Sequence, residues 1–122
     1  MEKKVIFIVD DKDTIGKILS FYLNREYECL YFDNPLGALQ RMQGGELPDL
    51  IISDIRMPEM RGDEFLAAIK SNELYKDIHV VMLSSEDSTA ERIRLLKEGA
   101  ADYIVKPFNP MELKIRIEKI LK

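Results

Sequence analysis

The chain has 122 residues, 22 of them acidic and 18 basic, for a formal net charge of −4. That length suits one domain, residues 1–122, with a core that needs no covalent staples, and the single cysteine excludes an internal disulfide. The acidic balance argues against direct nucleic-acid binding, which wants a basic surface, and the opening apolar run, Val5–Val9, is too short for a signal peptide or a membrane span, so a cytoplasmic protein is expected.

Taken in chain order, apolar runs alternate with segments of helical period. Val5–Val9 predicts a buried strand that ends on two adjacent acids, Asp10 and Asp11. Ile15, Ile18, Leu19 and Tyr22 then recur at helical spacing. "CLYF", from Cys29, is a second strand, and its thiol reads as a plain buried or half-buried one rather than a reactive one, with no cationic neighbour in sequence. Asn34-Pro35 has the form of a helix N-cap followed by proline at the first helical position, and Gly44-Gly45 ends that helix. "LIISDI" predicts a third strand, "GDEFLAAIKSNEL" a helix, and "IHVVML" a fourth strand. "STAERIRLLKEGA" predicts a helix from a Ser/Thr cap to near Gly99, followed by the short strand "DYIV". Asn109-Pro110 begins the last helix, with Leu113, Ile117, Ile120 and Leu121 on one stripe. Five strand–helix pairs with short connections make an α/β fold, a parallel sheet with helices on both faces.

In such a sheet, ligands bind beyond the carboxyl ends of the strands. Strand one ends in Asp10 and Asp11, strand three in Asp54, strand four in Ser84 and Ser85, and strand five in Lys106 before Pro107. Three carboxylates, hydroxyls and an ammonium therefore share one edge. Packed carboxylates suit a hard divalent cation, Mg²⁺ or Mn²⁺, and a carboxylate can act as a nucleophile toward phosphorus. Each residue alone has a plainer reading: Asp10 and Asp54 as caps, Lys106 as a solvated lysine, Tyr103 as a half-buried strand aromatic. The lone histidine, His79, opens a strand and reads as structural or surface. Lys106-Pro107 is a candidate cis peptide.

The pieces "VDD", "SDIRMPEMRG", "MLSS" and "DYIVKPF" stand in order along nearly the whole chain. Together they resemble the receiver domain of the two-component response regulators. The resemblance implies a flavodoxin-like sheet of order 2-1-3-4-5 and a phosphoacceptor at Asp54. It implies metal ligation by Asp11 and Asp54, with Asp10 acting mainly through water and the Arg56 backbone carbonyl completing the shell. It further implies phosphoryl contacts from Ser84 and Lys106, and Tyr103 as an aromatic that reorients with Ser84. Where Ser85 stands the family usually has alanine, and serine is still small. The implied donor is a phosphohistidine on a sensor histidine kinase or phosphotransfer protein, or a small acyl phosphate. The receiver would catalyse only its own phosphorylation and dephosphorylation.

Arg56 and Glu86 each lie two residues beyond a pocket residue, so their opposite charges are expected to meet at the cleft mouth and tune the phosphorylation lifetime. The 100° helical step sets Met111 and Ile115 opposite the core stripe of the last helix, and Leu95 opposite Ile93. These three form the expected output face, a surface suited to a phosphorylation-dependent homodimer. The last helix resembles that of receivers joined to winged-helix domains. Two other readings share the acids. One is a small phosphatase of the haloacid-dehalogenase kind, whose Asp-x-Asp pattern Asp11-Lys12-Asp13 meets superficially. The other is a pseudo-receiver that never takes phosphate.

Overall fold

Apolar runs form the strands of the computed structural model, which describes residues 2–122. The strands are β1 Lys4–Val9, β2 Tyr27–Phe32, β3 Leu50–Asp54, β4 His79–Ser84 and β5 Asp102–Val105. The helices are α1 Asp13–Leu23, α2 Pro35–Gln43, α3 Gly62–Lys70, α4 Thr89–Lys97 and α5 Pro110–Leu121. All pairings are parallel, in the order β2-β1-β3-β4-β5.

Continuous apolar runs, rather than alternating ones, are what a parallel sheet covered on both faces demands. On β1, Phe7 and Val9 point into one core with Phe65, Leu66 and Ile69 of α3 and with Tyr103. Ile6 and Ile8 point into the other, with Leu19 and Leu23 of α1 and with Leu113, Ile117 and Leu121 of α5. Asn34 and Asn109 cap α2 and α5, their side chains accepting two backbone amides each ahead of Pro35 and Pro110.

Three expectations need correction. The third helix stops at Lys70 rather than running through "SNEL", because the Asn72 side chain accepts the Leu74 amide and closes a turn instead. Ile18 is 41% exposed, since the α1 core stripe is Gly16, Leu19 and Leu23. Leu95 is fully buried, so it is not part of an exposed face. Leu95 and Ile93 do lie on opposite sides of α4, but the short helix turns Leu95 inward against the core containing Tyr103 and leaves Ile93 and Leu96 outside. Met111 and Ile115 are exposed as expected.

Candidate functional site

The parallel register brings the strand ends together. Val9 pairs with Ser53, so Asp10 and Asp54 follow side by side. Ser84 pairs with Val105, and the next amide, of Lys106, donates to the Ser84 carbonyl. Asp10 and Asp54 are buried and Asp11 is exposed, and each of the three offers a carboxylate oxygen within 4.8 Å of the others. Lys106 reaches back across the sheet edge, its Nζ 2.9 Å from Asp10 Oδ2 and 3.3 Å from Asp54 Oδ1. The Lys106-Pro107 peptide is cis, as expected.

Proton and lone-pair accounting separates the roles of the three acids. Asp10 is fully engaged: Oδ1 accepts the Lys12 amide and Oδ2 accepts Lys106. Its backbone is held as well, by the Tyr31 hydroxyl donating to the Asp10 carbonyl at 2.6 Å. Asp54 Oδ1 accepts the Ile55 amide and faces Lys106, which leaves Oδ2 without a protein partner among the described residues. Asp11 has no hydrogen bond or ion pair among the described residues, so both its oxygens are available. A cluster of hard carboxylate oxygens, three of them free, fits Mg²⁺ or Mn²⁺.

Burial, and then the charge of Asp10, raises the Asp54 carboxyl above the ordinary aspartate value, while Lys106 and the Ile55 amide pull it back down. A raised folded-state value means that the carboxylate form is penalised in the native state. The penalty is present at pH above that value and vanishes as pH falls through it. Asp54→Asn is therefore expected to raise the thermal midpoint at neutral pH in chelator, with the gain shrinking as the solution is acidified. Melting curves in EDTA from neutral to acidic pH check this.

The other side of the pocket is a hydroxyl network. Ser84 Oγ accepts the Glu86 amide and lies 3.3 Å from Glu91 Oε1. The buried Tyr103 hydroxyl lies 2.8 Å from the Glu86 carbonyl and 2.9 Å from the same Glu91 oxygen. The Arg92 guanidinium stands 5.6 Å from the Tyr103 ring centre. Arg56 and Glu86 form the expected ion pair, with both side chains partly exposed. Glu91 was missed by sequence reasoning. The signal that could have found it is "STAE", a cap pattern whose acid lies one turn into α4.

Asp13 lies outside the acidic cluster, at the start of α1, and pairs with Lys17 on the surface. The Asp-x-Asp pattern of the phosphatase reading thus has no geometric counterpart. His79 is exposed at the opposite end of β4 from Ser84, beside Asp49, Asp77 and Lys4. Cys29 is half-buried, and burial pushes its thiol up to about 11. That value leaves it protonated and inert near neutrality.

Comparison with known proteins adds four findings. The family model described as "Response regulator receiver domain" matches residues 6–118. The chemotaxis protein CheY1 of Helicobacter pylori is 34% identical over 118 residues, which are 95% of this chain and 95% of that protein. Histidine kinase P4 of Formosa agariphila is 40% identical over 121 residues, 99% of this chain but only 9% of that much longer protein. Among solved structures, the chemotaxis response regulator CheY4 of Vibrio cholerae superposes with a TM-score of 0.88 at 32% identity, over 97% of this chain and 98% of that one.

Proposed function

We infer the chemistry from one premise: this chain belongs to the response regulator receiver domain family and is a signalling receiver of two-component systems. Within that role Asp54 takes the phosphoryl group. The observation that carries this reading is a single one. Asp54 is a buried carboxylate at the carboxyl edge of the central strand, with Oδ1 held and Oδ2 free. Oδ2 would attack the phosphorus of a phosphohistidine on a sensor histidine kinase or phosphotransfer protein. The P–O bond forms, the P–N bond breaks, and the leaving imidazole takes up a proton.

Asp11 and Asp54 would hold one Mg²⁺ or Mn²⁺ directly. Asp10 would support them through water, and the Arg56 carbonyl would complete the shell. Such an ion offsets the carboxylate repulsion and polarises the phosphoryl oxygens. Lys106 and the Ser84 hydroxyl would then hold the transferred oxygens by charge-assisted hydrogen bonds. Tyr103 would carry the change outward to the α4–β5–α5 surface, where Ile93, Leu96, Met111 and Ile115 are exposed. With Leu95 removed from it, that face suits a partner or a phosphorylation-dependent homodimer. No helix among the described residues is long and apolar enough to cross a membrane.

The test is incubation with acetyl phosphate and Mg²⁺. Mass spectrometry should show a gain of about 80 Da, the mass of one HPO₃ group, that is lost in hydroxylamine and mapped to the peptide containing Asp54. No gain, or a label mapped elsewhere, would overturn the assignment. The Arg56–Glu86 pair lies two residues beyond Asp54 and Ser84 respectively, and in this reading it would guard the path of the hydrolytic water. Replacing both with alanine is expected to change the dephosphorylation rate about three- to tenfold, well beyond what a solvated surface pair contributes. Decay of the labelled mass over time measures it.

A further inference from the structure

We propose that Glu91 is the positioning residue that couples Ser84 to Tyr103: one carboxylate oxygen holds both hydroxyls, and a phosphoryl group on Asp54 must draw the Ser84 proton away from it. The inference rests on the reading above, in which Asp54 is the acceptor and Ser84 a phosphoryl contact.

The first support is proton accounting. A serine hydroxyl has one proton to donate. Ser84 Oγ already accepts from the Glu86 amide at 3.0 Å, and its proton is directed at Glu91 Oε1. A phosphoryl oxygen seeking the same proton therefore competes with Glu91. The second support is that Tyr103 does not need Glu91. Its hydroxyl has one proton, and the Glu86 carbonyl at 2.8 Å is sufficient to satisfy it. The Glu91 oxygen at 2.9 Å is a second acceptor for that proton. When Ser84 leaves Oε1, the oxygen loses one donor, and the Tyr103 proton shifts toward it.

The third support comes from α4 itself. Ser88-Thr89-Ala90-Glu91 has the sequence of a capping box, in which the serine accepts the amide of the acid three residues on and the acid reaches back to the serine amide. Half of that box is built: Ser88 Oγ accepts the Glu91 amide at 3.2 Å. The Glu91 carboxylate instead turns inward to Ser84 and Tyr103. An acid in the first helical turn is thereby diverted from capping to the pocket, and the start of α4 is fastened to the end of β4. Any change in how Ser84 is held pulls on the start of α4.

The experiment measures the affinity of beryllofluoride, a phosphoryl mimic, in the presence of Mg²⁺. Titrations followed by amide NMR are run on wild type, Glu91→Ala, Ser84→Ala and the double variant. Glu91→Ala is expected to tighten binding about fivefold, the scale of one hydrogen bond no longer competing. In the Ser84→Ala background the same change should have no effect, because the competing proton is gone; this non-additivity is the signature of direct coupling. Should Glu91→Ala not fold, Glu91→Gln preserves the packing and weakens the acceptor, with a gain of about twofold expected. Equal affinity for wild type and both Glu91 variants, or an effect of the same size with and without Ser84, overturns the proposal. Failure of the wild type to bind beryllofluoride overturns the underlying receiver chemistry instead, and the two failures are distinct.

Discussion

Asp54→Asn is expected to abolish labelling by acetyl phosphate, and Asp11→Asn to reduce both labelling and divalent-metal binding by about a hundredfold. The asymmetry follows from which oxygens are free. Asp10 has both oxygens engaged, by the Lys12 amide and by Lys106, so it can meet an ion only at the expense of those bonds. Asp54 has one free oxygen. Asp11 is the exposed member of the cluster and the one whose whole carboxylate is uncommitted. Removing its charge leaves one free anionic oxygen where there were three, and loss of a proposed direct ligand is expected to reach the top of the roughly 10–100-fold range that removing an outer-shell partner costs. Asp10→Asn should be milder in metal binding, because its charge is already balanced by Lys106, and the two variants together rank the acids. Calorimetric titration with Mn²⁺ measures affinity directly, and the phosphorylated mass reports chemistry. Labelling of Asp54→Asn at the wild-type level, or metal binding unchanged by Asp11→Asn, would show that the strand-end acids are not the site.

The second large effect is expected at a residue with no chemistry of its own. Gly62 begins α3, and its amide donates to the Ile55 carbonyl at 2.7 Å. A methyl group there would lie 2.2 Å from the Asp54 carbonyl oxygen and 2.7 Å from Ile55 Cα. These are backbone atoms, which cannot swing aside as a side chain can. Gly62→Ala must therefore push α3 away from the end of β3, at a cost of about 3 kcal/mol or more, the upper range for overpacked sites. Because the displaced backbone carries Asp54, labelling should fall with stability. The control is Gly45, which has φ +99° and nothing within 4 Å of an added Cβ. Gly45→Ala should cost about 1 kcal/mol through backbone conformation alone and leave labelling intact. Urea denaturation of the two variants separates the effects, and a Gly62→Ala protein as stable as wild type would show that α3 is not pinned as described.

Most of the fold was legible because the parallel sheet writes itself as unbroken apolar runs. Val5–Val9, "LIISDI" and "IHVVML" have no alternation to misread, and asparagine–proline pairs mark two helix starts without ambiguity. The strand-end acids were legible for a related reason: charge directly after a buried run is costly unless something requires it. What escaped the sequence was decided by three-dimensional choices between equal options. Ile93 and Leu95 are both apolar and on opposite sides of α4. Only the packing against Tyr103 and its neighbours selects Leu95 as the inward one. Glu91 escaped because its position in a cap pattern gives it an ordinary local duty, and its turn toward Ser84 and Tyr103 depends on the β4–β5 pair lying beneath it. The Arg56–Glu86 pair was foreseen because both positions were counted from pocket residues rather than from helix periodicity.

The ion pair between Lys106 and Asp10 joins residues 96 positions apart. Contacts of such long sequence separation form late, since a large loop must close before they stabilise anything. A growing chain that has not reached β5 holds its acids without the ammonium that lies among them in the folded protein. The proposed pocket is therefore assembled only once β5 has joined the sheet, so the order in which the strands are laid down sets when its charges first balance.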